Sequence, residues 1–245
     1  MKIGFIGFGE VSYQLSKLFE DEELITSDRN RSEKTVERIR DSNAEILKDF
    51  EEVARNSDVL ISANSPKTAI EVAKKYGNKT DGIYLDLNNI NPDTAIKISK
   101  LTPNFIDSAI VGNVKDNPVL YISGNNCNCL EFLEEYINVK VISDKIGDAS
   151  RLKMLRSIYT KALAATLIET TEIAEDLNLK EELLSTLAIN ECDNFIKKAN
   201  SRINNTKSSS KRKKEELEEI LEYFNKHDLT MSKATLKKLT DLCQI

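Results

Sequence analysis

The chain has no tryptophan, one histidine, four cysteines and four prolines among its 245 residues. With His227 as the one histidine, a histidine-centred catalytic triad has a single candidate, far along the chain. Of the cysteines, only Cys127 and Cys129 lie close together, and a lone C-x-C lacks the paired spacing of a zinc site. We therefore expect reduced thiols, a cytoplasmic protein and no bound metal.

Two further absences restrict the class of protein. No apolar run approaches the roughly 20 residues that a membrane span needs. The first strand-like run starts at Lys2, so we expect neither an export signal nor a membrane anchor. The formal net charge is −5, which gives no overall attraction to nucleic acid. Hydrophobic residues make up 40% and charged residues 31%, a composition typical of a soluble protein with a buried core.

The chain divides into two parts with different patterns of apolar residues. Up to about residue 145, eight short apolar runs alternate with amphipathic stretches, which is typical of βαβ units and a mostly parallel sheet. The runs are apolar at successive positions, as in strands covered on both faces. We predict a Rossmann-type, doubly wound α/β domain over residues 1–146 that binds NAD(P).

After Gly147 the strand-like runs stop. A long apolar stripe without glycine or proline predicts a helix over about 150–176, and helical stretches follow at 180–203, 211–226 and 231–243. We predict an all-α domain over 147–245 that binds substrate and dimerises. The 150–176 helix is apolar around much of its circumference, so we expect a homodimer formed through the helical domain.

A glycine-rich turn follows the first predicted strand, in the order Gly7-Phe8-Gly9-Glu10-Val11-Ser12. In a G-x-G-x-x-[small] turn, the first glycine allows the tight turn and the second lets the backbone approach a pyrophosphate. The third position needs a small side chain for helix–strand packing. We expect dinucleotide phosphates to lie on the N–H groups of this turn and of the helix start, the alternative being an ordinary βα turn.

Residues after the second predicted strand bear on the choice between NAD and NADP. Asp28 lies 21 residues after Gly7, where an acid would bind the ribose hydroxyls of NAD. Arg29 and Arg31 follow at once, and guanidinium groups, together with the hydroxyl of Ser27, suit the 2′-phosphate of NADP. We expect NADP to be preferred over NAD. The alternative is that these charges are merely solvated.

Two more loops follow strands at the edge where a doubly wound sheet binds its ligands. Ala63, Asn64 and Ser65 follow one predicted strand, and Asn88 follows the next. We expect these four residues to contact the nicotinamide half of the cofactor. Because short polar residues are also common turn formers, a purely structural role is the alternative.

The order of motifs resembles the β-hydroxyacid dehydrogenases, the superfamily of 6-phosphogluconate and 3-hydroxyisobutyrate dehydrogenases. Gly4–Gly9 resembles the family's opening, and Phe105–Gly112 is similar to its Asp-Ala-Pro-Val-Ser-Gly-Gly segment. Gly147–Ser157 resembles its catalytic segment, in which a lysine follows a glycine by six residues. Lys153–Ser157 with Tyr159–Lys161 is similar to a phosphogluconate dehydrogenase-like branch. The resemblance covers essentially the whole chain and implies a Rossmann domain followed by an all-helical one.

The resemblance implies hydride transfer between NAD or NADP and a small hydroxy acid or related compound. Lys153 would act as general base and acid, and Ser157 stands where the family usually has a substrate-binding asparagine. The family's substrate-cradling Ser-Gly-Gly reads Val111-Gly112-Asn113. These departures favour a different acid, carbonyl or imine as substrate. The alternative is a dinucleotide-binding protein, for sensing or interaction, that has lost the chemistry.

A basic run, Lys207–Lys214, precedes a run of glutamates. Cations at a helix start oppose the helix dipole unless an anion binds there. The resemblance to the phosphogluconate dehydrogenase-like branch implies that Lys211 and Arg212 contact an anionic small-molecule substrate, and the alternative is a solvated run bridged by the following glutamates. Nucleic-acid binding by this run is a weaker, third hypothesis that the net charge disfavours.

Overall fold

The computed structural model describes residues 1–189, 191 and 194–244. The chain packs as two compact units, Met1–Lys153 and Met154–Ile245. The strands of the first unit are β1 (Lys2–Ile6), β2 (Glu23–Thr26), β3 (Glu45–Ile46), β4 (Val59–Ser62), β5 (Ile83–Asp86), β6 (Phe105–Val111), β7 (Val119–Ser123) and β8 (Asn138–Ser143).

These strands form one eight-stranded sheet in the order β3-β2-β1-β4-β5-β6-β7-β8. All neighbours run parallel except β6 and β7, which are antiparallel. The chain order reverses between β1 and β4, which gives a topological switch point at the carboxyl ends of the central strands. The helices of this unit are α1 (Glu10–Leu18), α2 (Glu33–Arg40), α3 (Phe50–Arg55), α4 (Ala69–Tyr76) and α5 (Pro92–Ser99).

Two apolar cores explain why the strands read as continuous apolar runs. In β4, Val59 and Ile61 belong to one core and Leu60 to the other. Successive side chains of a strand point to opposite faces, so a strand covered on both faces needs apolar residues at every position. All three side chains are at most 1% exposed. This arrangement confirms the predicted Rossmann-type sheet.

The second unit is helical. It contains most of α6 (Asp148–Asp176), followed by α7 (Lys180–Ala188), α8 (Phe195–Lys207), α9 (Ser210–Tyr223) and α10 (Thr230–Asp241). A third apolar core, which includes Ile168, Leu217 and Leu239, lies among these helices. The predicted fold class is therefore confirmed, whereas the use of residues 147–245 for substrate binding and dimerisation stays a prediction.

One helix prediction was wrong. The stretch 180–203 is two helices, α7 and α8, and not one. Asn194, directly before α8, has a φ of 64°, a left-handed conformation that interrupts an α-helix. Part of the connection, residues 190, 192 and 193, lies outside the described residues. Across the residues that the structure describes, no helix combines the length and apolarity needed to cross a membrane.

Candidate functional site

The glycine turn joins β1 to α1 at the carboxyl edge of the sheet. Gly7 has a φ of +92°, and a Cβ there would lie 2.5 Å from the Ala63 carbonyl oxygen and 2.7 Å from Asn64 Oδ1. Both the conformation and the space therefore require glycine at this position. A Cβ built on Gly9 meets no atom of the described chain within 4 Å, and no side chain caps the start of α1. The first N–H groups of α1 thus border open space, as a phosphate site requires.

Ser12 occupies the position of the third glycine. Its hydroxyl is buried and donates a hydrogen bond of 2.7 Å to the carbonyl oxygen of Gly7. The side chain is small enough for the helix to pack closely on the sheet, and its bond also fixes the turn. The departure from glycine is therefore compatible with the predicted turn.

The other side chains of the turn have different environments. Phe8 is 2% exposed and packs edge to face on Phe5, with ring centroids 5.4 Å apart. Val11 packs against the same core. Phe8 and Val11 can therefore offer a ligand little besides their backbone. The exposed Glu10 carboxylate forms ion pairs with Arg38 and, at 3.1 Å, with Lys115, and the Lys115 contact lowers the pKa of Glu10.

Four of the predicted cofactor residues lie together after β2. Ser27 is fully buried, and its hydroxyl accepts a hydrogen bond of 3.4 Å from the backbone N–H of Arg29. The carbonyl oxygen of Asp28 accepts a bond of 3.1 Å from the backbone N–H of Arg31, which closes a turn. The structure thus presents Asp28, Arg29 and Arg31 on one short turn at the carboxyl edge of the sheet.

The two arginines of this turn differ in their contacts. Arg29 approaches the Asp49 carboxylate at 3.5 Å, which offsets part of its charge. The guanidinium of Arg31 lies over the Phe50 ring, 4.8 Å from its centroid, and Arg31 Nε donates to the Arg29 carbonyl at 3.2 Å. A guanidinium has five N–H donors, so one such bond leaves Arg31 donors for a ligand.

Asn64 and Asn88 form a polar network at the ends of the central strands. The backbone N–H of Asn64 donates to Asn88 Oδ1 at 2.5 Å, and Asn64 Nδ2 donates to the Ile6 carbonyl at 2.9 Å. Asn88 Nδ2 donates to Ser62 Oγ at 3.1 Å and to Asp86 Oδ2 at 2.9 Å. These amides connect β1, β4 and β5, so they have a structural role, and their contact with nicotinamide stays a prediction.

Ala63 and Ser65 flank Asn64 on the same loop. The Ala63 backbone N–H donates to the Ile6 carbonyl at 3.0 Å, which extends the pairing of β4 with β1. Ser65 is exposed, and its hydroxyl lies 3.0 Å from the hydroxyl of Thr68. Both residues stand at the predicted edge, and their binding role also stays a prediction.

Two buried carboxylates lie side by side on β5 and β6, where Asp86 pairs in register with Asp107. Asp107 accepts hydrogen bonds from the Ser150 backbone N–H at 3.0 Å, from Ser150 Oγ at 2.6 Å and from Ser123 Oγ at 3.2 Å. The backbone N–H of Gly147 also contacts this carboxylate. Asp107 therefore caps the start of α6 from a neighbouring strand.

Lys153 lies in the second turn of α6 and is half-buried. Its positive charge acts on Asp86, which is 0% exposed at the end of β5. Burial raises the pKa of Asp86 to about 7, while the hydrogen bonds from Asn88 and the charge of Lys153 oppose that rise. Burial likewise raises the pKa of Asp107. The charge of Lys153 therefore acts on a buried acid whose pKa lies near neutral, and the catalytic role of Lys153 stays a prediction.

The predicted substrate residues fall in both units. Val111 ends β6, Gly112 follows with a φ of +102°, and Asn113 Oδ1 accepts a bond of 3.2 Å from the Lys115 N–H. Ser157 lies one turn beyond Lys153 on α6, in the second unit, and its hydroxyl accepts a hydrogen bond from Lys161 Nζ. Their roles in binding stay predictions.

Lys211 and Arg212 lie in the first turn of α9, and both are exposed. Arg212 Nε approaches Glu216 Oε1 at 3.9 Å, an i,i+4 pair of the kind expected for a solvated charge run. The structure therefore does not gather these two side chains into an enclosed site.

Asp86, Asp107 and Ser150 were not among the site residues predicted from sequence. A signal was present, because an acid within or directly after an apolar strand run has to be satisfied by specific partners. Finding those partners needed the register of β5 with β6 and the start of α6, and neither follows from local sequence.

The raised pKa of Asp86 predicts a pH dependence of stability. An acid whose pKa rises from 3.8 to about 7 on folding stabilises the folded state most below pH 4, and this contribution is lost as the pH rises through 7. Asp86→Asn removes it, so between pH 5 and 7 wild type should lose about 2 kcal/mol more stability than the variant. Urea denaturation at several pH values measures this, and parallel profiles would contradict it.

Comparison with known proteins places the chain among its relatives. Residues 2–117 match the family model for the NAD binding domain of 6-phosphogluconate dehydrogenase. The chain is 44% identical over 233 residues to an uncharacterized 28.5 kDa protein of Methanothermus fervidus, covering 94% of this chain and 93% of that protein.

Solved structures agree with this placement. A conserved protein of unknown function, described as structurally similar to 3-hydroxyacid dehydrogenases, shares 34% identity and a TM-score of 0.83, covering 99% of this chain and 96% of that one. A Mycobacterium tuberculosis 3-hydroxyisobutyrate dehydrogenase, solved with L-serine, has a TM-score of 0.83, and the match covers 99% of this chain and 94% of that one. At 12% identity this likeness shows a shared fold and nothing more. The chain belongs to the β-hydroxyacid dehydrogenase superfamily, with an NAD-binding domain at its N-terminal end.

Proposed function

We propose that the chain is an oxidoreductase that transfers a hydride between NADP or NAD and a small hydroxy acid or a related carbonyl or imine compound. The observation that carries this proposal is that the positive charge of Lys153 acts on the buried Asp86 at the carboxyl end of β5. The glycine turn after β1 lies at the same edge, because β1, β4 and β5 run parallel. The proposed proton donor and the proposed dinucleotide turn would therefore lie at one edge of the first unit.

The residues of this edge fit a dinucleotide. The left-handed turn at Gly7, the open space at Gly9 and the uncapped start of α1 provide a phosphate cradle. Nicotinamide, when bound, supplies or accepts the hydride. The protein has to bind the two phosphates, orient the nicotinamide ring, and donate or accept the proton. The turn after β1 would bind the phosphates.

Lys153 would handle the proton. In the reducing direction its ammonium donates a proton to the carbonyl oxygen or imine nitrogen of the substrate, and in the oxidising direction its amine takes the proton back. The positive charge of Lys153 lowers the pKa of the buried Asp86 carboxyl, which burial raises to about 7. Asp107 fixes the first turn of α6 and thereby the position from which the Lys153 side chain extends.

A neutral Lys153 variant tests this role. Lys153→Met should lower kcat by about 10²–10⁴-fold, the range typical of losing a general acid or base. Its dissociation constant for NADPH should stay within about threefold of wild type. The assay is cofactor oxidation or reduction with a panel of hydroxy acids, carbonyl compounds and imines. Full activity of the variant on any substrate found would refute the assignment.

The arginines after β2 support a preference for NADP. Arg31 has donors that remain available above the Phe50 ring, and Arg29 lies on the same turn. A 2′-phosphate on this turn would accept charge-assisted hydrogen bonds, which are worth about 1.5–3 kcal/mol each. Asp28, the residue that would favour NAD, lies on the same turn and is half-buried.

Arg31→Ala separates the two cofactors. The variant should bind NADPH about 10–100-fold more weakly, because it loses a charge-assisted contact, and should bind NADH as wild type does. Parallel fluorescence titrations of both cofactors measure the change. Lys34→Ala, a nearby exposed cation on α2, is the control and should leave both affinities unchanged. Equal weakening of NADH and NADPH would contradict the assignment.

One observation favours a second function. Ser157, which replaces the family's asparagine, has its hydroxyl engaged with Lys161. A chain that keeps the dinucleotide site but has lost substrate positioning would sense or report the cofactor. It would bind NADPH tightly and show no turnover with any member of the substrate panel, so the same assay separates the two functions.

We further propose a cytoplasmic homodimer formed through the helical unit. Several large apolar side chains of this unit are exposed, among them Tyr159 at 66%, Ile173 at 55% and Ile189 at 77%. Burying each such side chain is worth about 1.5–3 kcal/mol. Light scattering at micromolar concentration should give twice the 27.7 kDa chain mass, and Ile173→Glu should shift the value towards the monomer. A wild-type monomer at high micromolar concentration would refute the dimer.

A further inference from the structure

The loop that joins β6 to β7, residues 112–118, reaches the start of α1. Lys115 lies in this loop, and its ammonium forms an ion pair of 3.1 Å with Glu10, the first residue of α1. Gly9, where the open space of the phosphate cradle lies, directly precedes Glu10. The β6–β7 loop therefore brings a cation to the residue that follows the cradle.

The conformation of the β6–β7 loop determines where Lys115 lies. Gly112 and Asn117, near its two ends, have φ angles of +102° and 48°, both left-handed, as in tight turns. Asn113 Oδ1 accepts a hydrogen bond of 3.2 Å from the backbone N–H of Lys115. Val114 packs against the same apolar core as the glycine turn. The loop is thus anchored beside the turn, and Lys115 extends from a folded segment.

One carboxylate holds two cations at this place. Besides Lys115, Glu10 forms an ion pair with Arg38 of α2 and accepts a hydrogen bond of 3.1 Å from Gln14 Nε2. The contact with Lys115 is the chief reason why the pKa of Glu10 is lowered. Two positive charges against one negative charge leave one positive charge in excess. This excess lies at the start of α1, where the two phosphates of a dinucleotide would bring negative charge.

The pair of Glu10 with Lys115 is exposed to water and can be exchanged. The two side chains are 47% and 60% exposed, so solvent screens their attraction and the pair adds little to the stability of the fold. A pyrophosphate at the cradle would carry two negative charges and accept stronger, charge-assisted hydrogen bonds from the ammonium. The Glu10 carboxylate, in contrast, would repel that pyrophosphate.

We propose that Lys115 exchanges its contact when a dinucleotide binds, from the Glu10 carboxylate in the free protein to the pyrophosphate of the cofactor, so that Glu10 competes with the cofactor for this cation. The exchange requires dinucleotide binding, which is part of the proposed function, and does not require hydride transfer. It adds a residue of the β6–β7 loop to a phosphate site that the sequence placed on the glycine turn and the start of α1.

Three ligands that contain the pyrophosphate test the exchange, namely NADPH, NADH and ADP-ribose. Lys115→Met should weaken the binding of all three about tenfold or more, because each loses a charge-assisted contact. This pattern differs from that of Arg31→Ala, which is expected to weaken NADPH alone. Isothermal titration calorimetry of the full chain measures the three affinities, and the melting temperature of each variant shows that it folds.

Lys17→Met is the matched control for the loss of an exposed lysine. Lys17 lies in the last turn of α1 and pairs with Asp41 at 3.3 Å, so this variant also loses one charge and one ion pair, but at the other end of the helix. All three affinities should stay as in wild type. An equal loss in Lys17→Met and Lys115→Met, or unchanged affinities in Lys115→Met, would overturn the proposal.

A Glu10 variant separates direct binding from simple neutralisation. Glu10→Gln should tighten the binding of all three ligands about threefold or more, because the competing charge is removed. If Lys115 only neutralised Glu10, Lys115→Met would have no effect in the Glu10→Gln background. If Lys115 binds the pyrophosphate, its loss in that background weakens binding at least as much as in wild type.

The remaining outcomes also decide. A loss that disappears in the Glu10→Gln background, or binding by Glu10→Gln that is no tighter than that of wild type, would overturn the exchange. Weaker binding of NADPH and NADH with unchanged binding of ADP-ribose would overturn it too, because Lys115 would then act on the nicotinamide half.

Failure of the exchange is distinguishable from failure of the proposed function. Dinucleotide binding that depends on Lys115, without turnover of any substrate, would keep the exchange and reject the enzyme. Turnover with unchanged affinities in Lys115→Met would keep the enzyme and reject the exchange. A wild-type chain that binds none of the three ligands would reject both.

Discussion

The buried carboxylate of Asp107 is the contact on which the geometry around Lys153 depends. It accepts hydrogen bonds from the backbone and the hydroxyl of Ser150 and contacts the N–H of Gly147, so it satisfies donors that the start of α6 would otherwise leave unpaired. A negative charge at that end of α6 is also favoured by the helix dipole. Since Lys153 lies three residues after Ser150, the strand that carries Asp107 determines where the lysine stem begins.

Much of the first unit could be predicted from sequence because its determinants are local. The central strands, such as β4, are buried on both faces and therefore appear as continuous apolar runs, and the glycine turn is contained within six successive residues. The Asp107–Ser150 contact joins residues 43 positions apart, and the Asp86–Asp107 pairing depends on strand register. Neither can be obtained from spacing, which explains why the buried acids were not among the predicted site residues.

In the helical unit, the sequence predicted the basic run but not which of its side chains is buried. The basic run before the glutamates was visible in sequence, but which lysine faces inward depends on the phase of α9. Lys213 lies four and seven residues before Leu217 and Ile220, which are buried, so it shares their face of the helix, whereas Lys211 does not. Similarly, Ser157 was identified by its spacing from Lys153, while its bond to Lys161 required the side-chain positions.

The bond from Ser12 to the Gly7 carbonyl has a consequence for the thermodynamics of association. A glycine-rich segment loses much backbone entropy when a ligand orders it, and that loss subtracts from affinity. Here a buried hydroxyl already restrains the segment in the free protein. Dinucleotide binding should therefore order this turn only slightly. A glycine in place of Ser12 has no hydroxyl, so the free turn would lack this hydrogen bond.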